Sequence, residues 1–209
     1  LCAVSGINAA VMLVISAFTK RRNSDRHSPV MRVFIGLLAV STLILVATAL
    51  SKMALYINAY GLTRLRVYAS WFMILIAAGF LIALIKEIAP RFNAVCALLA
   101  VFVLLFGALA LSDPDRIIAE YNVDRYIAGT LGLDVETLSN EYSDSAIPAL
   151  VRLRTALEDR PDTENFKKII DHRLDVWQRT NGDPAKNLFC ETLPRIRARR
   201  AVHGMLTED

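Results

Sequence analysis

Acidic side chains are almost missing from the first half of this 209-residue chain: up to Ser112 there are two, Asp25 and Glu87, against ten Lys and Arg. From Asp113 onward the balance reverses, with eighteen acidic and fourteen basic residues. The halves therefore carry about +8 and −4 within an overall +4. So abrupt a change marks a boundary near Ser112. It also bears on partners. A pI near 9.1 could point to nucleic acid, but the cations sit beside apolar runs rather than along one polar face, which excludes that class.

Cysteine is scarce: Cys2, Cys96 and Cys190 lie far apart and form no CxxC pair. Neither a disulfide framework nor a zinc site is signalled, and Cys2 and Cys96 fall in apolar runs where packing is their expected role. Histidine is as thin. His27, His172 and His203 stand in different segments, and His172, beside Asp171 and three residues before Asp175, reads as one member of a surface ion pair. An acid–base role would need a nucleophile or a metal that the sequence does not indicate. The GxSxG, HExxH, P-loop and GxGxxG patterns are missing. Asp113-x-Asp115 with Asp124 at position twelve fails as a calcium loop, because Ile117 and Ile118 stand where a ligand and a glycine are required. No catalytic residue, cofactor or metal is expected. No stretch alternates well enough to argue for a sheet and there is no internal repeat, so the fold class is all-α.

What is present is apolar length. Of the chain, 55% is apolar and the mean hydropathy is +0.41, above the usual soluble range. A spanning helix needs about 20 apolar residues, and four segments approach that, near 1–19, 33–50, 67–85 and 94–112. The first is the weakest, with Ser5, Asn8 and Ser16 inside it. A chain opening on Leu1 with apolar residues already under way reads as a piece of a longer protein, with residues 1–19 the end of a span rather than a signal peptide. The expected architecture is a transmembrane helical bundle of about four spans over 1–112, followed by a small polar helical domain over 113–209. The loops after the first and third spans hold seven Lys and Arg against five on the other side. That places those loops in the cytoplasm and the C-terminal domain outside it.

Between the second and third spans lies LYINAYGLTRLRVYA, Leu55–Ala69, the densest aromatic and cationic cluster. Gly61 interrupts its helical pattern, and Thr63 is placed to cap the helix that follows. One reading is an interfacial belt in which Tyr56, Tyr60, Arg64 and Arg66 anchor helix ends at headgroup level. The other is an anion site, in which Tyr60, Arg64 and Arg66 hold a lipid phosphate or another phosphate-bearing ligand. A second polar cluster, Asn122, Asp124, Arg125 and Tyr126, follows the last span. It reads as a docking segment, with Asp124 expected to pair with Arg64 or Arg66.

These segments carry a resemblance. Tyr56, Tyr60-Gly61-Leu62-Thr63-Arg64-Leu65-Arg66-Val67-Tyr68-Ala69 resembles the signature of a bacterial multi-pass membrane family known as domain of unknown function 4173, related to 4153. Asn122-Val123-Asp124-Arg125-Tyr126 is similar to that family's Asn-Ile/Val-Asp-Arg-Tyr segment. Leu138-Ser139 with Ser143-Asp144-Ser145-Ala146-Ile147-Pro148-Ala149-Leu150 is similar to its Leu-Ser-Asp-Ala-Val-Pro-Ala-Leu box, with Ser145 an extra or substituted position. The resemblance implies a bacterial cell membrane location and no assigned activity.

In the polar half, helix starts are expected at Ser112-Asp113-Pro114, at Asp134 and after Asp144. Asp162 is placed to cap the clearest amphipathic helix, whose Phe166, Ile169, Ile170, Leu174 and Trp177 share a face and which Asn181-Gly182-Asp183-Pro184 ends. A last helix carries Leu188 to Met205, with the cations Arg195, Arg197, Arg199 and Arg200. The expected protein is a non-enzymatic envelope sensor or scaffold component. A transporter or membrane-enzyme subunit holding an anionic substrate at the Tyr/Arg-rich hinge is the alternative. Its expected partners are the lipid bilayer, an anionic lipid, and a second copy or another membrane protein.

Overall fold

The computed structural model describes residues 6–8, 10–11, 29–89, 91–132, 138, 142–158, 163–181 and 192–207. Among them every regular element is helical. The helices are α1 (Pro29–Tyr60), α2 (Arg64–Ile88), α3 (Ala94–Leu111), α4 (Pro114–Ile127), α5 (Ile147–Ala156, preceded by a 3₁₀ turn at Asp144–Ala146), α6 (Glu164–Asn181) and α7 (Leu193–Thr207). The chain divides into two compact units, one of residues 1–57 and 65–111 and the other of 58–64 and 112–209.

In the first unit α1, α2 and α3 are each long and apolar enough to cross a membrane, and the chain is a membrane protein. The expected first span, residues 1–19, lies for the most part outside the described residues; 6–8 and 10–11 are helical. Ile35, Ala39 and Phe80 form a small core joined by Leu38, Leu43, Ile76 and Leu84. Four hydroxyls within α1 are satisfied locally, as a hydrocarbon surrounding requires. The hydroxyls of Ser41, Thr42, Thr48 and Ser51 each donate to the carbonyl three or four residues back. Thr42 also accepts the Asn8 amide at 2.8 Å. Trp71 Nε1 donates to the Leu105 carbonyl at 3.0 Å, tying α2 to α3.

The second unit has an aqueous-type core. Its central helix is α5, packed on α4, α6 and α7, because Ile147, Ala149, Leu150, Val151 and Leu153, half of its residues, are all buried. Ile118, Ala119 and Val123 from α4, Ile170, Leu174 and Trp177 from α6, and Ala198 and Val202 from α7 complete the interior. α6 is described as far as Asn181; its expected stop at Gly182-Asp183-Pro184, the expected helix start at Asp134 and the cap at Asp162 lie outside the described residues. α4 begins at Pro114, with Asp113 in the left-handed region at φ 51°. The side chain of Asp113 forms no capping hydrogen bond. The following proline disfavours the right-handed conformation at that position, and aspartate is among the few residues that tolerate this alternative.

Candidate functional site

The hinge is shorter than its sequence suggests. α1 runs on through Lys52, Tyr56 and Tyr60, and α2 already begins at Arg64, so only Gly61-Leu62-Thr63 is non-helical. Gly61 ends α1 by taking φ +78°, a left-handed conformation that glycine adopts without steric cost. A Cβ there would lie 2.8 Å from Asn122 Oδ1 and 2.9 Å from Leu131 Cδ2.

Three side chains of the second unit hold this turn. Asn122 pairs with both backbone groups of Leu62: its Nδ2 donates to the Leu62 carbonyl and its Oδ1 accepts the Leu62 N–H, each at 2.8 Å. That uses both faculties of the amide on one residue, much as a neighbouring strand would. Arg125 supplies the C-terminal cap of α1. Its NH2 donates to the Asn58 carbonyl at 3.0 Å and its NH1 to Asn58 Oδ1 at 3.2 Å. The last turn of α1 has no cation of its own, and a guanidinium at a helix C-terminus satisfies an orphan carbonyl and the negative end of the dipole. Tyr121 steadies this cap: its hydroxyl accepts from Arg125 NH1 at 3.3 Å, and its ring centroid lies 5.7 Å from the guanidinium carbon.

The third hold is electrostatic. Arg64 closes a bidentate fork on Asp115, Nε to Oδ1 and NH2 to Oδ2, both at 2.6 Å. This geometry is among the stronger charge-assisted arrangements. Asp115 also accepts the Ser143 N–H at 3.2 Å, and the Arg64 guanidinium carbon stands 5.0 Å from the centroid of the Tyr142 ring. Burial, the largest single influence, pushes the Asp115 carboxyl up, but its bonds from Arg64 and Ser143 together outweigh it and hold the pKa below the ordinary 3.8. The carboxylate side chain is 16% exposed against 42% for its arginine.

One stripe of α4 therefore faces the turn: Asp115, Ile118, Asn122 and Arg125, at i, i+3, i+7 and i+10. Asp124 stands nine residues after Asp115, about two and a half turns on, and so points to the opposite side. It pairs with Arg152 of α5 at 2.6 Å. The expected partnership of Asp124 with Arg64 or Arg66 is thus replaced by two others, Arg64 with Asp115 and Asp124 with Arg152. Arg66 is half-buried in the first turn of α2 and belongs to the first unit. Tyr56 and Tyr60 are exposed on one face of α1, and Tyr126 is half-buried on α4. In the sequence Asp115 stands out only within the failed calcium-loop pattern, and Asn58 and Tyr142 do not stand out, although the spacing of Asp115 to Asn122 and Arg125 on a helix is a signal of their shared face. His172 is exposed, and the carboxylates near it go to arginines, Asp171 to Arg154 and Asp175 to Arg179.

The cluster can hold and orient, since Arg64, Asn122 and Arg125 are all engaged with protein groups. Among the described residues no group of three or more His, Cys, Asp or Glu is disposed to hold a metal. A family model described as "Domain of unknown function (DUF4153)" matches residues 1–153. It is the second of the two related families to which the motifs point, and the match does not bear on the first. No curated protein matches, and no solved structure matches.

Proposed function

The chain belongs to the family described as domain of unknown function 4153, and we propose that it is an envelope scaffold or sensor component without catalytic activity. The polar helical domain couples to the membrane helices through the turn that joins two of them. It stands on the extracytoplasmic side, as the Lys and Arg balance of the loops implies. The Arg64–Asp115 fork carries this reading. The cation best suited to hold an anionic substrate is matched, bond for bond, by a carboxylate of the same domain. A compact unit that includes residues 58–64 receives the end of α1 and delivers the start of α2, which is the route by which the polar domain would act on two helix ends together. The hydroxyls of α1 support the same view, being bonded to their own helix rather than turned toward a cargo.

A charge exchange tests it. In a host lacking the gene, Arg64→Asp and Asp115→Arg are each expected to fail in restoring the wild-type phenotype, and the double exchange to restore it. If the double variant reaches the membrane in normal amount and still fails, Arg64 is needed as an arginine in its place. The carrier reading, with an anionic substrate on Arg64, then takes over.

A further inference from the structure

α7 is held in one rotation. Ala198 and Val202 are buried, and Arg195 Nε donates to Asp144 Oδ2 at 3.1 Å. The opposite side exposes Leu193, Arg197, Arg200 and Gly204, spaced i, i+4, i+7 and i+11. Between Leu193 and Thr207 there are four arginines, one histidine and no acid; the rest of residues 113–209 hold eighteen acidic residues and ten basic ones. The outward face of α7 is therefore basic, while the rest of residues 113–209 is acidic in sum. We propose that the outward face of α7, through Arg197 and Arg200, docks on the anionic headgroups of the bilayer in which the chain is embedded.

The choice of occupant follows from connectivity and charge. The chain passes between the two units at three places, 57/58, 64/65 and 111/112, with no linker residues between them. A unit so tethered meets lipid headgroups at a high effective concentration. Before an anionic surface its acidic majority is repelled and α7 is attracted, so the field itself selects the orientation. Leu193, 68% exposed, suits the boundary between headgroup and acyl chain, and arginine stems lie along apolar surface while their heads stay hydrated. Two arginines near such a surface bias docking by about thirtyfold.

The experiment uses the whole chain in nanodiscs of phosphatidylcholine alone or mixed with phosphatidylglycerol, and follows amide exchange of residues 193–207. Exchange there is expected to slow in the anionic discs by up to about thirtyfold, to recover at high salt, and to lose its lipid dependence in Arg197→Gln/Arg200→Gln. Unchanged protection of 147–156 in that variant shows the core intact, since neither side chain is buried. Equal exchange in the two lipids overturns the proposal, as does a lipid dependence that survives the double substitution. So does protection that appears only on adding an acidic polypeptide, which would make the face a protein-binding one. The Arg64–Asp115 exchange is independent of all these outcomes.

Discussion

Leu104 of α3 and Leu150 of α5 are the same side chain on two apolar helices, yet Leu104 is 71% exposed and Leu150 is 1% exposed. The contrast extends to whole elements. α3 has no buried residue, while α5 buries five of its ten. In the first unit the surrounding hydrocarbon is as apolar as leucine, so nothing drives such side chains inward and packing rests on close contact and hydrogen bonds. In the second, water does the sorting. One chain thus shows two rules for the same residues. The place where they meet, residues 58–64, follows the second rule, with polar groups satisfied side chain to backbone.

The most direct way to break the comparison is to truncate both leucines. Leu150→Ala leaves a cavity in the interior of the second unit, where Leu150 is 1% exposed, and is expected to cost about 3–4 kcal/mol. Leu104→Ala, facing lipid, is expected to cost below about 0.5 kcal/mol. Urea or thermal unfolding of the full chain in one detergent, monitored by amide exchange in each unit, measures both. Equal losses would mean that α3 packs against protein rather than lipid, and the contrast would fail.

Gly61→Ala tests the boundary. The new Cβ forces φ +78° on an alanine, costing about 1–2 kcal/mol. It also meets Asn122 Oδ1 at 2.8 Å, which breaks bonds worth about another 1 kcal/mol. The expected total is about 2–3 kcal/mol, with faster amide exchange at Leu62 as its local signature. Retention of slow exchange there would show that Asn122 is not what holds the turn.

Much of this was legible in the sequence. The three spans follow from uncharged length, and the inward face of α6 from the spacing of Ile170, Leu174 and Trp177. The resemblance box from Ser143 to Leu150 proved to be the start of the central helix, and its run of buried residues is what makes it central. The extent of α1 was less legible, because Lys52 looks like the end of a span although a charge ends only the apolar run and not the helix. The partner of Arg64 was misjudged for a different reason. Asp124 lies inside a conspicuous motif and Asp115 does not, but helical phase, not motif membership, decides which carboxylate reaches the turn.

The smallest expected effects separate two ion pairs that look alike by distance. Arg64–Asp115 and Arg152–Asp124 are both 2.6 Å long, but the first is bidentate with a largely buried carboxylate. The second has both side chains more than half exposed. Asp115→Asn is expected to cost about 1–2 kcal/mol, because it removes one charge of a fork and weakens the bond to Ser143. Asp124→Asn is expected to cost below about 0.5 kcal/mol and less at high salt. Acid titration sharpens the distinction. The Asp115 carboxyl is held below its ordinary value in the folded protein, so its contribution is complete above the unfolded-state pKa and drains away as pH falls through the folded one. Wild-type stability should therefore decline below about pH 4 more steeply than that of Asp115→Asn. If the Asp115→Asn curve keeps the full wild-type slope, the fork adds nothing to the hold on the turn. Asn122 and Arg125 would then bear it alone.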